Sequence, residues 1–443
     1  MSSKKLSNTL KQKLIQNSIK KKLERIENQH QDDSLVSLMS NAIPDKHYRF
    51  DQFPGYLQVE TIRKGSERLG VSNPFFRIHD GVAGAFTHIN GKEIANFSSY
   101  NYLNLNGHPE VNEAAKAAID QYGTSVSASR IVSGERLIHQ QLEKEIAQTY
   151  EVDDALVYVS GHATNVSTIG YLFGKKDLII HDEYIHNSSI IGTELSGAKR
   201  LIFPHNNLDA LRDILSEQRQ KYEKVLIIVE GLYSMDGDYP DLDQLISLKN
   251  EYKAFLMVDE AHSFGVLGDS GKGLREHFGK DGNEVDIWMG TLSKTLSGMG
   301  GYIAGESALI DNLRNLSPGF LYSVGISAPI AAAALKSLEI MKREPQRIDA
   351  LHKISKYFLE KARSLGLDTG HSVGIAVIPI ILGSSLKAGK ASEYLYEHDI
   401  NVMPIVYPAV PEKNARLRFF LNSEHTKEQI DHCLELIDRF IKT

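Results

Sequence analysis

The sequence predicts an α/β protein with a large domain on a mostly parallel sheet and a smaller C-terminal α+β domain. Three observations predict it. Short apolar runs alternate with amphipathic helical stretches between residues 155 and 291, as buried parallel strands alternate with covering helices. Five of those runs end in polar clusters, where ligands bind in open α/β sheets. After about Gly325 the order changes to two long helical patterns, then strand-like segments, then a last helix.

Taken from the N-terminus, Leu6, Leu10 and Leu14, then Ile15, Ile19 and Leu23, recur at spacings of four and predict a basic amphipathic helix. Pro44 and Pro54 act as breakers in 32–70, which reads as short helices joined by turns. Phe75, Phe76 and Ile78, then Ala85, Phe86, Ile89, Ile94 and Phe97, predict short strands around Asp80-Gly81 and Asn90-Gly91 turns. The buried strands follow as Ala155–Val159, Leu178–Ile180, Leu201–Phe203, Val225–Val229, Phe255–Val258 and Ile287–Met289. Helices are expected at Leu137–Ala147, Leu208–Tyr222 and Leu242–Tyr252, and later at Ala328–Met341, Ile348–Leu365 and Thr426–Ile441. Gly374–Leu382 and Leu417–Leu421 read as strands. The expected organisation is an extension over 1–50, an N-terminal segment over 51–96, the large domain over 97–325 and the small one over 326–443.

Composition narrows the function. In 443 residues, 50 Lys+Arg against 56 Asp+Glu give a net charge of −6, which disfavours a nucleic-acid binder. The charge is uneven, because residues 1–30 carry +6 and the rest −12. A single cysteine, Cys433, excludes an intrachain disulfide and any metal site with two thiolates. No apolar run is long enough to span a bilayer and no secretory signal stands at the start, so a cytoplasmic protein is expected. The basic leader leaves three environments open: an anionic membrane surface, an acidic carrier protein, or water.

Familiar nucleotide motifs fail. Gly271-Lys272 lacks both the first glycine and the hydroxyl of a phosphate loop, and Gly298-Met299-Gly300 does not continue as a dinucleotide fingerprint. The strand-end clusters together suit one cofactor. A lysine beyond a strand, flanked by hydroxyls, can form a Schiff base, and an aspartate can face a protonated pyridine nitrogen. A glycine turn into a helix offers N–H groups to a phosphate, and an imidazole can cover a ring. These are the requirements of pyridoxal 5′-phosphate. A metal site from His181, His186, Asp259 and His262 would leave the lysine unexplained.

Ser98-Ser99-Tyr100-Asn101-Tyr102-Leu103, Val258-Asp259-Glu260-Ala261-His262-Ser263 and Gly290-Thr291-Leu292-Ser293-Lys294 resemble the α-oxoamine synthase family, from Phe97 to the C-terminus. The resemblance implies the fold-type I architecture of pyridoxal-phosphate transferases. It implies Lys294 as Schiff-base lysine and Cα base, Asp259 as partner of the pyridine nitrogen, and His262 at the phenolic oxygen. His186 would stack on the ring, while Gly161, His162 and Ala163 cradle phosphate and ring. Thr291 and Ser293 would serve as loop hydroxyls, with Glu230 and Ser234 on the cofactor side. Ser323 would be lent by the second subunit of a homodimer, and Asn101 would lie near the substrate, also across the dimer. Arg418 would grip the amino acid carboxylate. Arg416, on the same strand face, is its confounder.

The implied reaction is the decarboxylative condensation of a small amino acid (serine, alanine or glycine) with an acyl thioester on CoA or a carrier protein. Transamination, or a non-catalytic pyridoxal-phosphate-binding regulator, are the alternatives. Two departures bear on substrate. The run Thr124-Ser125-Val126-Ser127-Ala128-Ser129-Arg130 lacks the glycines usual there, and Val406 stands where bacterial serine palmitoyltransferases have an arginine. The first run and the segment from Phe53 to Arg77 resemble synthases of polyketide or lipid assembly, which favours a long acyl chain.

Overall fold

The computed structural model describes residues 17–22, 43–70 and 72–443. Most of the predicted leader helix lies outside the described residues. Within it, 17–22 is helical, and Ile19 packs directly on Gly65.

Among the described residues, fourteen strands form three sheets. The strands β1 (His79–Asp80), β2 (Phe86–Ile89) and β3 (Lys92–Asn96) come first. The central strands are β4 (Asp154–Tyr158), β5 (Leu178–Asp182), β6 (Lys199–Phe203), β7 (Val225–Glu230), β8 (Phe255–Asp259), β9 (Ile287–Thr291) and β10 (Gly301–Gly305). The last four are β11 (Val377–Ile381), β12 (Ile400–Asn401), β13 (Met403–Ile405) and β14 (Arg416–Phe420).

The central sheet runs in the order β4-β10-β9-β8-β7-β5-β6, with β10 alone antiparallel. Apart from the largely exposed edge strand β6, its strands are buried on both faces, and their side chains divide with the period of two that a strand imposes. Ile180, Ile227, Val229, Leu256, Val258 and Trp288 enter one core. Ile179, Leu226, Ile228, Met257, Ile287 and Met289 enter the other. This is the fold-type I arrangement expected, and all six predicted strands are present; Leu201–Phe203 lies on the edge strand β6, which is largely exposed and not buried as expected.

The helices show why they start and stop. Leu242–Tyr252 begins at Asp241, whose carboxylate accepts from Gln244 N at 3.0 Å, and ends at Lys253 in a left-handed conformation (φ 50°). Lys427–Lys442 opens with a reciprocal box: Gln429 N donates to Thr426 Oγ1 and Thr426 N to Gln429 Oε1, at 3.3 and 2.7 Å. Its inward stripe holds Ile430, Leu434 and Cys433, and burial raises the thiol out of reactive range.

Several expectations are corrected. Pro54 does not break a helix; it begins the 16-residue helix Pro54–Leu69, where its missing N–H costs nothing. Phe75, Phe76 and Ile78 form no strand. Phe75 N donates to Asn73 Oδ1 in a turn that leaves Phe76 at φ 61° and 98% exposed. Strand β10 was not foreseen, because its glycine-rich start resembles a loop. Strand β12 pairs in parallel with β3, so residues 79–96 and 400–401 share a sheet. Among the described residues, no helix is long and apolar enough to cross a membrane.

Candidate active site

The candidate residues gather where parallel strands end. Glu230 and Asp259 are register partners at the ends of β7 and β8, so two carboxylates stand side by side. Asp259 is held by two donors: Asn165 Nδ2 at 2.9 Å and Ala261 N at 3.0 Å. Glu230 Oε2 accepts from Ser234 N at 3.2 Å, while its Oε1 is buried without a partner. Burial raises the Glu230 carboxyl, and the neighbouring Asp259 charge adds to it.

Lys294 follows β9. Burial pushes its ammonium down to about 8, against the opposing pull of Asp259 and Glu230. Its Nζ lies 5.6 Å from the centre of the Tyr100 ring. A cavity of about 520 Å³ opens on it, lined also by Ser293, Asn101, Tyr100, Arg77 and Phe76. The loop is fixed by Thr291 Oγ1, which donates to Gly300 O at 2.9 Å and lies 2.7 Å from Ser293 Oγ.

Across from Thr291 begins the helix Gly161–Leu172, capped by Ser160 Oγ on Ala163 N at 3.0 Å. A Cβ on Gly301 would meet Thr164 Oγ1 and Gly161 Cα at 2.4 and 2.7 Å. Glycine there lets the helix N-terminus approach the Thr291 hydroxyl, and the helix presents the N–H groups of Gly161 and His162 beside it. His186 caps the helix Asn187–Ser196, accepting from Ser188 N at 3.3 Å, and its Nδ1 meets Ser188 Oγ at 2.7 Å. Asn165 Nδ2 reaches the same Ser188 Oγ at 2.9 Å, which links the His186 cap to Asp259.

His262 is buried, with Tyr102 Oη 2.7 Å from its Nδ1. Burial holds it well below its ordinary value, and the cations at Lys294 and Arg418 deepen the shift. Arg418 and Arg416 share a strand but not a situation. Arg416 is buried against Asp236 (2.7 Å) and the carbonyls of Met235 (3.1 Å) and Asn414 (2.9 Å). Arg418 donates to Ser234 O at 3.2 Å and lies over the Phe420 ring, and its Nε is buried without a partner. Among the described residues no carboxylate pairs with Arg418.

Two predicted residues are placed differently from the rest. Asn101 lines the Lys294 cavity within a single chain, and its amide is engaged by Asn104 Oδ1 and by Asn106 at N and O. Ser323 belongs to another cluster. Its hydroxyl donates to Gly319 O at 2.7 Å, and its neighbour Val324 bridges Ser129. His181 is held within β5, with Nδ1 2.6 Å from Asp182 O, while its Nε2 is buried without a partner among the described residues. Sequence reasoning missed Asn165, Tyr100, Tyr102 and His205. The first three lie inside the motif runs, at positions a strand-end reading could have weighed. Nothing in the chain marked His205, which bridges Asp182 Oδ1 at 2.9 Å and Asp238 Oδ2 at 2.8 Å. Burial alone would lower it; the two carboxylates override that and raise it to about 10.

The residues fit pyridoxal phosphate. The donor set holds a depressed lysine, a carboxylate beside a buried neighbour, an imidazole, and a hydroxyl pair at a helix start. The unpartnered Glu230 Oε1 and Arg418 Nε are buried polar atoms that the fold itself does not satisfy.

The aminotransferase class I and II family model matches residues 92–437. The chain is 40% identical to 8-amino-7-oxononanoate synthase of Symbiobacterium thermophilum over 346 residues, 78% of this chain and 88% of that protein. It is 38% identical to the enzyme of that name from Thermoanaerobacter pseudethanolicus over 351 residues, 79% and 88% of the two chains. The structure of Sphingomonas wittichii serine palmitoyltransferase superposes with a TM-score of 0.83 at 27% identity, covering 87% of this chain and 96% of that one.

Proposed function

The chain belongs to the aminotransferase class I and II family, among its α-oxoamine synthases, and from that premise we propose that it condenses a small amino acid with a long-chain acyl thioester, releasing carbon dioxide and an α-amino ketone. Decarboxylative condensation by a pyridoxal-phosphate acyltransferase is the chemistry of its relatives. The amino acid is serine, alanine or glycine, and the acyl group arrives on CoA or a carrier protein. Overall, the Cα–carboxylate bond and the thioester C–S bond break. One C–C bond forms between Cα and the acyl carbonyl carbon, and a thiol leaves.

Lys294 would hold the cofactor's aldehyde carbon and Asp259 its pyridine nitrogen. His186 would cover one ring face, with Glu230 and Ser234 beside the ring. Gly161, His162, Ala163, Thr291 and Ser293 would take the phosphate. When bound, pyridoxal phosphate supplies an electron sink for the charge left at Cα. Arg418 binds the amino acid carboxylate, since its guanidinium has a free edge and no competing carboxylate. Lys294 Nζ takes and returns the Cα proton. Its pKa, lowered by burial, makes the free amine more abundant near neutrality than in an ordinary lysine. His262 donates a hydrogen bond where negative charge develops. Ser323 completes the site from a second copy, consistent with the exposure of Tyr322 and Val324 on either side of it. The exposed Phe76 at the cavity mouth favours an apolar acyl chain.

The observation that carries this reading is an arginine without a carboxylate partner beside a depressed lysine. An amino acid by acyl-thioester matrix, read by product mass and carbon dioxide release, tests it. Carbon dioxide release should require both substrates. Amino-group transfer to a keto acid without carbon dioxide would reject it.

A further inference from the structure

The Tyr102–His262 contact has one stable proton arrangement. Tyr102 Oη has a single hydrogen-bond partner among the described residues, His262 Nδ1 at 2.7 Å, and both side chains are buried. If Nδ1 carried the proton and donated it, the phenolic hydrogen would be left in the interior without an acceptor. If the phenol donates to a bare Nδ1, both groups are satisfied. One unsatisfied buried donor corresponds to a bias of about tenfold to hundredfold. Burial holds Tyr102 well above the ordinary phenol range, so its proton is always there to give.

Turning the ring over about Cβ–Cγ would set its Cδ2 carbon against the Tyr102 hydroxyl and lose the bond. Phe420 lies nearly parallel to the His262 ring, 10° apart with centroids 6.1 Å apart, and the Tyr100 ring meets it edge-on at 5.8 Å. Phe420 also lies beneath the Arg418 guanidinium, whose carbon is 4.7 Å from the ring centre. With Nδ1 occupied, the second nitrogen must bear the proton. No protein group among the described residues bonds to Nε2.

We infer that Tyr102 is a positioning residue that holds neutral His262 as its Nε2–H tautomer, making His262 a fixed hydrogen-bond donor at the reacting centre and not a proton acceptor. The inference rests on the preceding reading only for what Nε2–H faces; the tautomer itself follows from the buried pair. Burial, then the charges at Lys294 and Arg418, oppose a second proton on the ring. The donor therefore stays neutral and does not switch.

The test uses the holoenzyme labelled with ¹⁵N in its histidine rings, with His262 assigned by comparison with His262→Gln. The wild type should show His262 as the Nε2–H form near neutral pH. Tyr102→Phe, which removes one oxygen and keeps the ring, should shift it to a mixture or to Nδ1–H. The same variant should lose about tenfold or more in kcat, while the KM for the amino acid changes less than threefold and the bound-cofactor colour persists. An Nδ1–H signal in the wild type overturns the inference, as does an unchanged tautomer in Tyr102→Phe. A shifted tautomer with unaltered kcat also overturns the positioning role. If the wild type catalyses no condensation at all, the preceding reading fails, while the ring spectrum still decides the tautomer.

Discussion

Arg416 and Arg418 stand two residues apart on β14, and the structure predicts opposite consequences for losing them. Arg416→Leu removes the partner of Asp236, which is as deeply buried as the arginine. An uncompensated buried carboxylate costs about 3–5 kcal/mol. Spread over an unfolding entropy of about 2.1 cal/mol/K per residue for the whole chain, this lowers Tm by roughly 3–5 °C. Arg418→Leu removes one bond to Ser234 O and a stack on Phe420, and leaves no carboxylate stranded. Its stability cost is about 1 kcal/mol, a Tm change of roughly 1 °C. Its functional cost is larger, because two charge-assisted bonds to a substrate carboxylate are worth about 3 kcal/mol or more, roughly a hundredfold in kcat/KM for the amino acid. The assay is paired: calorimetry on both variants, then steady-state kinetics against amino acid at saturating thioester. A raised amino acid KM in Arg416→Leu with normal Tm, together with normal kinetics in Arg418→Leu, would refute the assignment.

Other outcomes follow from the same geometry. Lys294→Ala should yield a folded, colourless protein with no turnover, and full product formation by it would reject the lysine's role. Because burial brings Lys294 down to about 8, cofactor capture by the stripped enzyme should accelerate from pH 6.5 to 9, and a flat profile would contradict that value. His205 is raised from 6.5 to about 10, so its stabilising contribution is full below pH 6.5 and lost as pH rises through 10. The Tm gap between wild type and His205→Gln should therefore be widest near pH 6 and close toward pH 10. Asn165→Leu removes a donor from Asp259 and should weaken cofactor retention, measured by dialysis, more than it lowers Tm.

What the sequence determined is local or periodic. The apolar runs from Ala155 to Met289 could hardly be anything but buried strands, since each is too short for a helix and lies between helical patterns. Lys294, Asp259 and His262 were legible because each lies within five residues of the end of such a run, in a motif resembling the family, and strand ends converge on one edge of a parallel sheet. What it could not determine depends on distant partners. Strand β10 carries a glycine-rich start that resembles a loop, and only its neighbours β4 and β9 make it a strand. His205 gains its charge from Asp182 and Asp238, 23 and 33 residues away. The strand period alone leaves Arg416 and Arg418 equivalent, and only the register of the family motif favoured Arg418. Only the packing of β14 against the loop from Glu230 to Gly237 puts Asp236 under one and leaves the other without a carboxylate among the described residues. Composition and period set which face of an element is buried; which charge meets which depends on the path of the whole chain through space.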